Sequence, residues 1–336
     1  MTKRPWILTA LLATLAFEVV VLAWGEQPFG VARLLVAGTW GNRYGIGQIL
    51  FKTAAITLSA VAARVALRAG LFHLGVEGSI AAAALAAGAV GAALPKRPTT
   101  LGVIVVIATG AFAGAAVSLP IAVQKVRFRA HEVISGIMMN HVAAGLVAWA
   151  LAAGLAEKAS VHTRPIPAGW VAARLGVFPG SLASVAGLLA VAALFKWSFL
   201  AHRTPFGREL PAIAASPSAA EGAGVRVRWR VLQVMLLSGA IAGLAGVNDV
   251  LTRGNAEEGR TAGLGFTGLA AALLAGESTI GLVLAAAFFA TLAQGGLAIN
   301  ARVPREIGDV LVGVVVLLVA VAPRLAEMIA RREEAT

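Results

Sequence analysis

His202-Arg-Thr-Pro-Phe-Gly-Arg208-Glu-Leu-Pro-Ala-Ile-Ala-Ala-Ser216-Pro-Ser-Ala-Ala-Glu221-Gly-Ala-Gly224-Val-Arg-Val-Arg-Trp-Arg230 is a polar island between two apolar runs, Ser181 to Leu200 and Val231 to Leu251. An apolar run of about 20 residues is what a helix needs to cross a bilayer. The alternation of run, island and run therefore decides the fold: an all-α, polytopic membrane helical bundle. The island carries five arginines against two glutamates, and short cytoplasmic loops collect Lys and Arg, which places it inside the cell. Ser218 and Glu221 stand three apart, as an N-cap and its capping-box partner do. Pro217 or Pro211 suits a first helical turn, and Gly222 and Gly224 supply the stop. The segment reads either as a short capped helix offered to a soluble partner or as an ordinary basic loop.

Working outward, composition agrees. Of 336 residues, 59% are hydrophobic and 13% charged, against about 25% charged in soluble domains; mean hydropathy is +0.84. The net charge of +12 does not indicate nucleic acid, because the arginines lie in short loops and at span ends rather than on one basic face. With no cysteine, disulfides and thiolate metal sites are excluded.

Upstream, Trp6 to Trp24 is too long for a signal-peptide core of about 7–15 residues and reads as an uncleaved first span. A mixed, Gly-rich external stretch over 27–42 follows. Further spans are expected at Ile46 to Leu67, Gly70 to Leu94, Leu101 to Val123 and Val133 to Ala153. Glu157 to Gly180 reads as an external segment with Trp170 and Phe178 at interface depth. Downstream of the island, Gly263 to Ala275 is too short for a straight span and suits a half-helix. Ile280 to Ala298 and Ile307 to Val321 complete about ten membrane segments, some short or broken, before the basic tail. This topology puts both termini inside and allows an inverted pseudo-repeat. The expected divisions are 1–44, a transmembrane domain over 45–323 with its loop at 202–230, and a tail over 324–336.

Two apolar segments hold groups that are costly there. In Gly70-Leu-Phe-His73-Leu-Gly-Val-Glu77-Gly-Ser79, glycines interrupt a stretch whose His73 and Glu77 are four apart, hence on one face if helical. A carboxylate at membrane depth costs about 2.5–3.5 kcal/mol on the insertion scale, so Glu77 must face protein or a watered cavity. In His131-Glu132-Val-Ile-Ser135-Gly-Ile-Met-Met-Asn140, Glu132 and Ser135 suit a helix start. Asn140, deeper, suits a conduit or an inter-helix hydrogen bond. His73 also suits a polar interface, and Phe266 suits packing as well as a substrate contact. Asn248, Asp249, Gln294 and Asn300 are expected near interfaces.

Several chemistries are excluded. Ser135 stands where H-E-x-x-H needs its second histidine, and neither a G-x-x-x-x-G-K-[ST] loop nor a G-x-S-x-G elbow occurs. Any ATP driving this chain is bound elsewhere.

Gly70 to Ser79 resembles the Gly-Leu-Phe-Asn-Ile-Gly-x-Glu-Gly-Gln pattern of the permease subunits of ABC importers for nucleosides and simple sugars, relatives of the ribose and branched-chain amino-acid permeases. Glu132 to Asn140 is similar to their Asn-Glu-Val-Ile-Ser-x-x-Met-Leu-Asn stretch, with His131 in the place of its first Asn. Thr204-Pro-Phe-Gly-Arg208 through Ser216-Pro-Ser-Ala-Ala-Glu-Gly-Ala-Gly224 resembles their ATPase-contacting loop, and Gly265 to Leu274 a following segment. His73, Ser79 and His131 depart from the pattern. The resemblance runs over about 45–320. It implies a second permease subunit, two ATPase subunits and an external substrate-binding lipoprotein, with alternating access as the mechanism. ATP and Mg belong to the ATPase; this chain binds no cofactor and is not an enzyme. Implied coupling residues are Phe206, Gly207, Arg208, Glu209, Ser216, Pro217, Ser218, Ala219, Ala220, Glu221, Gly222 and Gly224. The path is expected to involve His73, Glu77, Asn140 and Phe266. The rival is a proton-coupled secondary transporter in which Glu77 and His73 form a relay.

Overall fold

The computed structural model describes residues 25–300 without interruption, together with 15, 18, 19, 21–23 and 313. The expected first span lies largely, and the last span and tail almost wholly, outside the described residues. Among the described residues the chain is helical, with isolated β-bridges and no sheet. In chain order the helices are α1 (Pro28–Gly38), α2 (Arg43–Leu67), α3 (Val76–Ala92), α4 (Thr100–Phe128), α5 (Glu132–Ala150), α6 (Leu188–Arg203), α7 (Pro205–Ala215), α8 (Pro217–Gly222), α9 (Val227–Arg253), α10 (Leu264–Ala275) and α11 (Thr279–Ile299). Six are long and apolar enough to cross a membrane: α2, α4, α5 with the π turn after it, α6 with the short turn before it, α9 and α11. The apolar helices α1, α3 and α10 are shorter.

The described residues fall into two compact units, one of those up to 50, of 176–181 and of those from 287 onward, the other of 51–175 and 182–286. The 27–42 stretch lies in the first. It folds into α1, started by Pro28 at its first turn. The Thr39 hydroxyl ends it by donating to Leu35 O at 2.7 Å. Val21, Val31, Leu35 and Ile299 form its small core.

The second unit is built on a glycine seam. Helices in lipid gain little from hiding apolar surface from one another, so close association needs small residues. Gly110 and Gly114 of α4 face Gly239 and Gly243 of α9. A Cβ on Gly114 would lie 3.0 Å from Gly243 Cα, and one on Gly246 would lie 2.7 Å from Ala84 N of α3. This draws α3, α4 and α9 together at backbone contact. The most apolar stretch of α9 is 67% buried, against 22% for α5. Helix α5 leaves Ile134, Met138, Val142, Leu146 and Trp149 outward. Asn248 and Asp249, expected at an interface, are buried because α9 is central, and Gln294 is buried as well; Asn300 is exposed.

The connection over 156–175 makes up most of the segment expected outside. It is stitched to the end of α9: Thr163 N donates to Ala256 O (2.8 Å), Ile166 N to Gly254 O (2.7 Å) and Ala172 N to Leu251 O (2.6 Å). Trp170 is not an interface aromatic. It is buried, its Nε1 donates to Pro95 O at 2.7 Å, and its ring lies against Gly102 of α4.

Candidate functional site

The expected apolar run from Gly70 to Leu94 is helical only from Val76. Residues 68–75 form a break that holds Gly70 in a left-handed conformation (φ +72°), which favours glycine. His73 therefore lies before the helix, and the expected i,i+4 face with Glu77 does not exist. His73 is buried, and its Nε2 meets Ser118 Oγ at 2.8 Å; Ser118 in turn meets Ser79 Oγ at 3.1 Å. Ser79 Oγ also lies 3.1 Å from Gly75 O, to which it donates. Glu77 belongs to a separate set of bonds, so the two residues share no direct relay.

Glu77 Oε1 accepts from Gly263 N at 2.5 Å and Oε2 from Gly265 N at 2.6 Å. It thus caps the N-terminus of α10, whose own N-cap residue, Gly263, has no side chain to do so. A helix start leaves four amides without partners and carries positive potential, which a carboxylate satisfies on both counts. Asn140 does the same for α3. Its Oδ1 accepts from Gly78 N at 2.8 Å, and its Nδ2 donates to Leu74 O at 2.9 Å. The close approach needs Gly136, where a Cβ would sit 2.8 Å from Gly75 N. Glu77 and Asn140 both line a pocket of about 180 Å³ shared with Ala144, Val147, Glu257, Glu258 and Thr261. The structure brings these two residues together. It leaves His73 buried apart, and Phe266, in the first turn of α10, half exposed.

Glu132 and Ser135 do not cap α5, which starts at His131 without a side-chain cap. Glu132 Oε2 pairs with Lys125 Nζ at 2.6 Å, and Ser135 donates to Gln124 Oε1 at 2.7 Å, so both side chains join α5 to the end of α4. Arg64 escaped notice in the sequence, where it read only as a basic residue at the end of a span. It is buried, and its Nη2 donates to Gly276 O (2.6 Å) and Ser278 O (2.9 Å) in the turn that leaves α10.

The island forms two helices rather than one. Thr204 Oγ1 caps α7, accepting from Gly207 N at 3.3 Å. Gly207 packs on the Leu200–Ala201 backbone, too close for a side chain. Leu210 and Ile213 turn inward while Arg208, Pro211, Ala212 and Ala215 face out. The cap of α8 is Ser216, which accepts from Ala219 N at 3.3 Å, and not Ser218. Pro217 is suited to the first helical position, so the cap falls on the residue before it, and Glu221 lies at the far end rather than in a capping box. Ala220 is buried; Pro217, Ser218, Ala219, Glu221, Gly222 and Gly224 are exposed.

Glu209 and Arg230 tie α7 to the start of α9 through two bonds, Nε to Oε2 at 2.5 Å and Nη2 to Oε1 at 3.0 Å. The Arg230 guanidinium lies 5.6 Å from the Phe206 ring centre. The hydrogen bonds from Arg230 hold the Glu209 carboxyl below the usual carboxylate range. At the other face of α7, a Cβ on Gly70 would lie 3.1 Å from Ala214 Cα. The island therefore touches the start of the break.

Comparison with known proteins agrees with this geometry. The family model of the branched-chain amino acid transport system permease component matches residues 45–320. A guanosine ABC transporter permease of Bacillus subtilis is 31% identical over 328 residues, covering 94% of this chain and 92% of that protein. A nucleoside ABC transporter permease of Lactococcus lactis is 26% identical over 317 residues (90% and 86%). A glucose ABC transporter permease of Haloferax volcanii is 28% identical over 328 residues (93% and 85%). No solved structure matches. With most of its length matched, the chain belongs to the branched-chain amino acid transport system permease component family, and is a multi-pass, non-catalytic transport subunit of an ABC importer.

Proposed function

We propose that this chain carries a nucleoside or a simple sugar inward by alternating access, as one of two permease subunits. The observation that carries the reading is the island, whose paired short helices present an exposed face on one side and meet Gly70 on the other. The family implies an ATPase and a substrate-binding protein as partners. In this reading the ATPase grips Phe206 to Gly224 from the cytoplasm, and its closure shifts α7 against the break that leads to the pocket. Relatives named for guanosine, nucleoside and glucose transport support the cargo class. The working topology has about ten membrane segments, with an inverted pseudo-repeat, a transmembrane domain over 45–323 and both termini inside. Glu77 and Asn140 stand beside the path, with His73 and Phe266 behind and at its rim.

Replacing Arg208 and Glu221 together, both exposed, is expected to weaken coupling by about 0.5–2 kcal/mol, a roughly 2- to 30-fold fall in cargo-stimulated ATP hydrolysis. Membrane insertion should be unchanged. Unaltered hydrolysis and uptake would remove the coupling assignment. Uptake by the purified chain in vesicles with no ATPase present would remove the importer reading and favour the proton-coupled one.

A further inference from the structure

Helix α10 is apolar but for Thr267, and neither of its cap residues, Gly263 and Gly276, has a side chain to close an end. Its ends are held by charges from two other helices. Glu77, in the first turn of α3, accepts from Gly263 N and Gly265 N. Arg64, near the end of α2, donates to the carbonyls of Gly276 and Ser278. The signs suit the macrodipole at each end. Between these ends, Ser59 Oγ donates to Leu264 O at 2.9 Å, and Gly268 lies against Ser59 too closely for any side chain. Both Glu77 oxygens accept, as an ionised carboxylate's do.

The pocket beside this clasp has a one-sided character. Glu77, Glu257 and Glu258 line it, with Asn140 and Thr261, and no lysine, arginine or histidine is among its lining residues. Arg260, the nearest base on that loop, is engaged by Asp249 at 2.8 Å and Glu257 at 3.0 Å. A helix N-terminus is a ready anion site, and here the chain's own carboxylate already fills it.

We propose that Glu77 and Arg64 are positioning residues that hold α10 by its two ends, and that Glu77, by filling the amide cradle, keeps anionic cargo out of the pocket. Glu77 then touches no cargo itself. This rests on the pocket lying on the transport path, and extends that reading from a cargo class to a charge rule. A phosphate monoester or a free carboxylate would face Glu258, with Glu257 already paired to Arg260, beside a cradle whose amides Glu77 has taken.

Two experiments on the intact complex separate the parts. In the complex reconstituted with its ATPase and binding protein, Glu77→Ala should lower uptake of a neutral nucleoside or sugar about 10- to 100-fold, the worth of a charge-assisted bond. Formate should restore a large part of it and formamide should not, since only the anion replaces the lost group. Uptake at the wild-type level, or equal rescue by both, overturns the clasp. The second readout needs no transport. The chain has no cysteine, so Thr261→Cys gives a single thiol at the pocket. Its maleimide labelling should speed up severalfold on adding Glu77→Ala and slow again with formate; an unchanged rate overturns the clasp. With Glu77 intact, a neutral nucleoside or sugar should protect that thiol and its phosphate monoester should not. Equal protection overturns the charge rule. Protection by neither removes the pocket from the path while the labelling arm still decides the clasp.

Discussion

Helices α7 and α10 are nearly the same length, 11 and 12 residues, yet they solve the same end problem in opposite ways. Helix α7 is capped by Thr204, the residue immediately before it, and α8 by Ser216 in the same fashion. Helix α10 takes its N-terminal cap from Glu77, and Arg64 braces the turn at its other end, from about 190 and 210 positions away in the chain. Polar surroundings admit a hydroxyl or a water at any helix end, so a local cap suffices. The glycines at both ends of α10 offer no side chain, so the task falls to residues of other helices.

The largest test of this contrast is Arg64→Ala. It strips two carbonyls of a charged donor, each bond worth about 1.5–3 kcal/mol, and about 3 kcal/mol of stability should disappear in thermal unfolding of the detergent-solubilised protein. A loss no greater than that from an island cap would erase the distinction between the two helices. Next comes Ser216→Ala, expected to cost about 1 kcal/mol as a lost N-cap, while Ser218→Ala should stay within about 0.5 kcal/mol. Reversed values would return the cap to Ser218. The smallest effect concerns Glu209 and Arg230. Each is about a quarter exposed, so the pair contributes about 0–1 kcal/mol. Because the folded carboxyl titrates below its usual range, this contribution is fully present above the unfolded value of about 4.3. It disappears as pH falls through the lower folded value. The difference in unfolding temperature between wild type and Glu209→Gln should therefore hold from pH 7 to about 5 and close only in stronger acid.

The same contrast explains what could be read in advance. The island's existence, its stop at Gly222 and Gly224, and the half-helix after Gly263 were legible because turn residues and segment length act locally. The cap was misplaced by two residues because Ser216 and Ser218 both suit the role, and only the demand of Pro217 for the first helical position separates them. Glu77 and Asn140 stood out as misfits in apolar runs, but their partners did not. No spacing rule connects Glu77 to Gly265 or Asn140 to Gly78. Arg64 gave no signal because an arginine at the end of a span is ordinarily a surface anchor. Trp170 misled for a related reason: its ring suits a membrane boundary equally well, and only the bare Cα of Gly102 in another helix shows where it goes.

The backbone stitching between 163–172 and the end of α9 makes that connection part of the frame rather than slack. Peptide amides at Thr163, Ile166 and Ala172 should keep their protons in heavy water for about as long as helix interiors do. A tag spliced among them would prise the connection from the end of α9, whereas one placed after Gly222, on an exposed turn, would leave the bundle untouched.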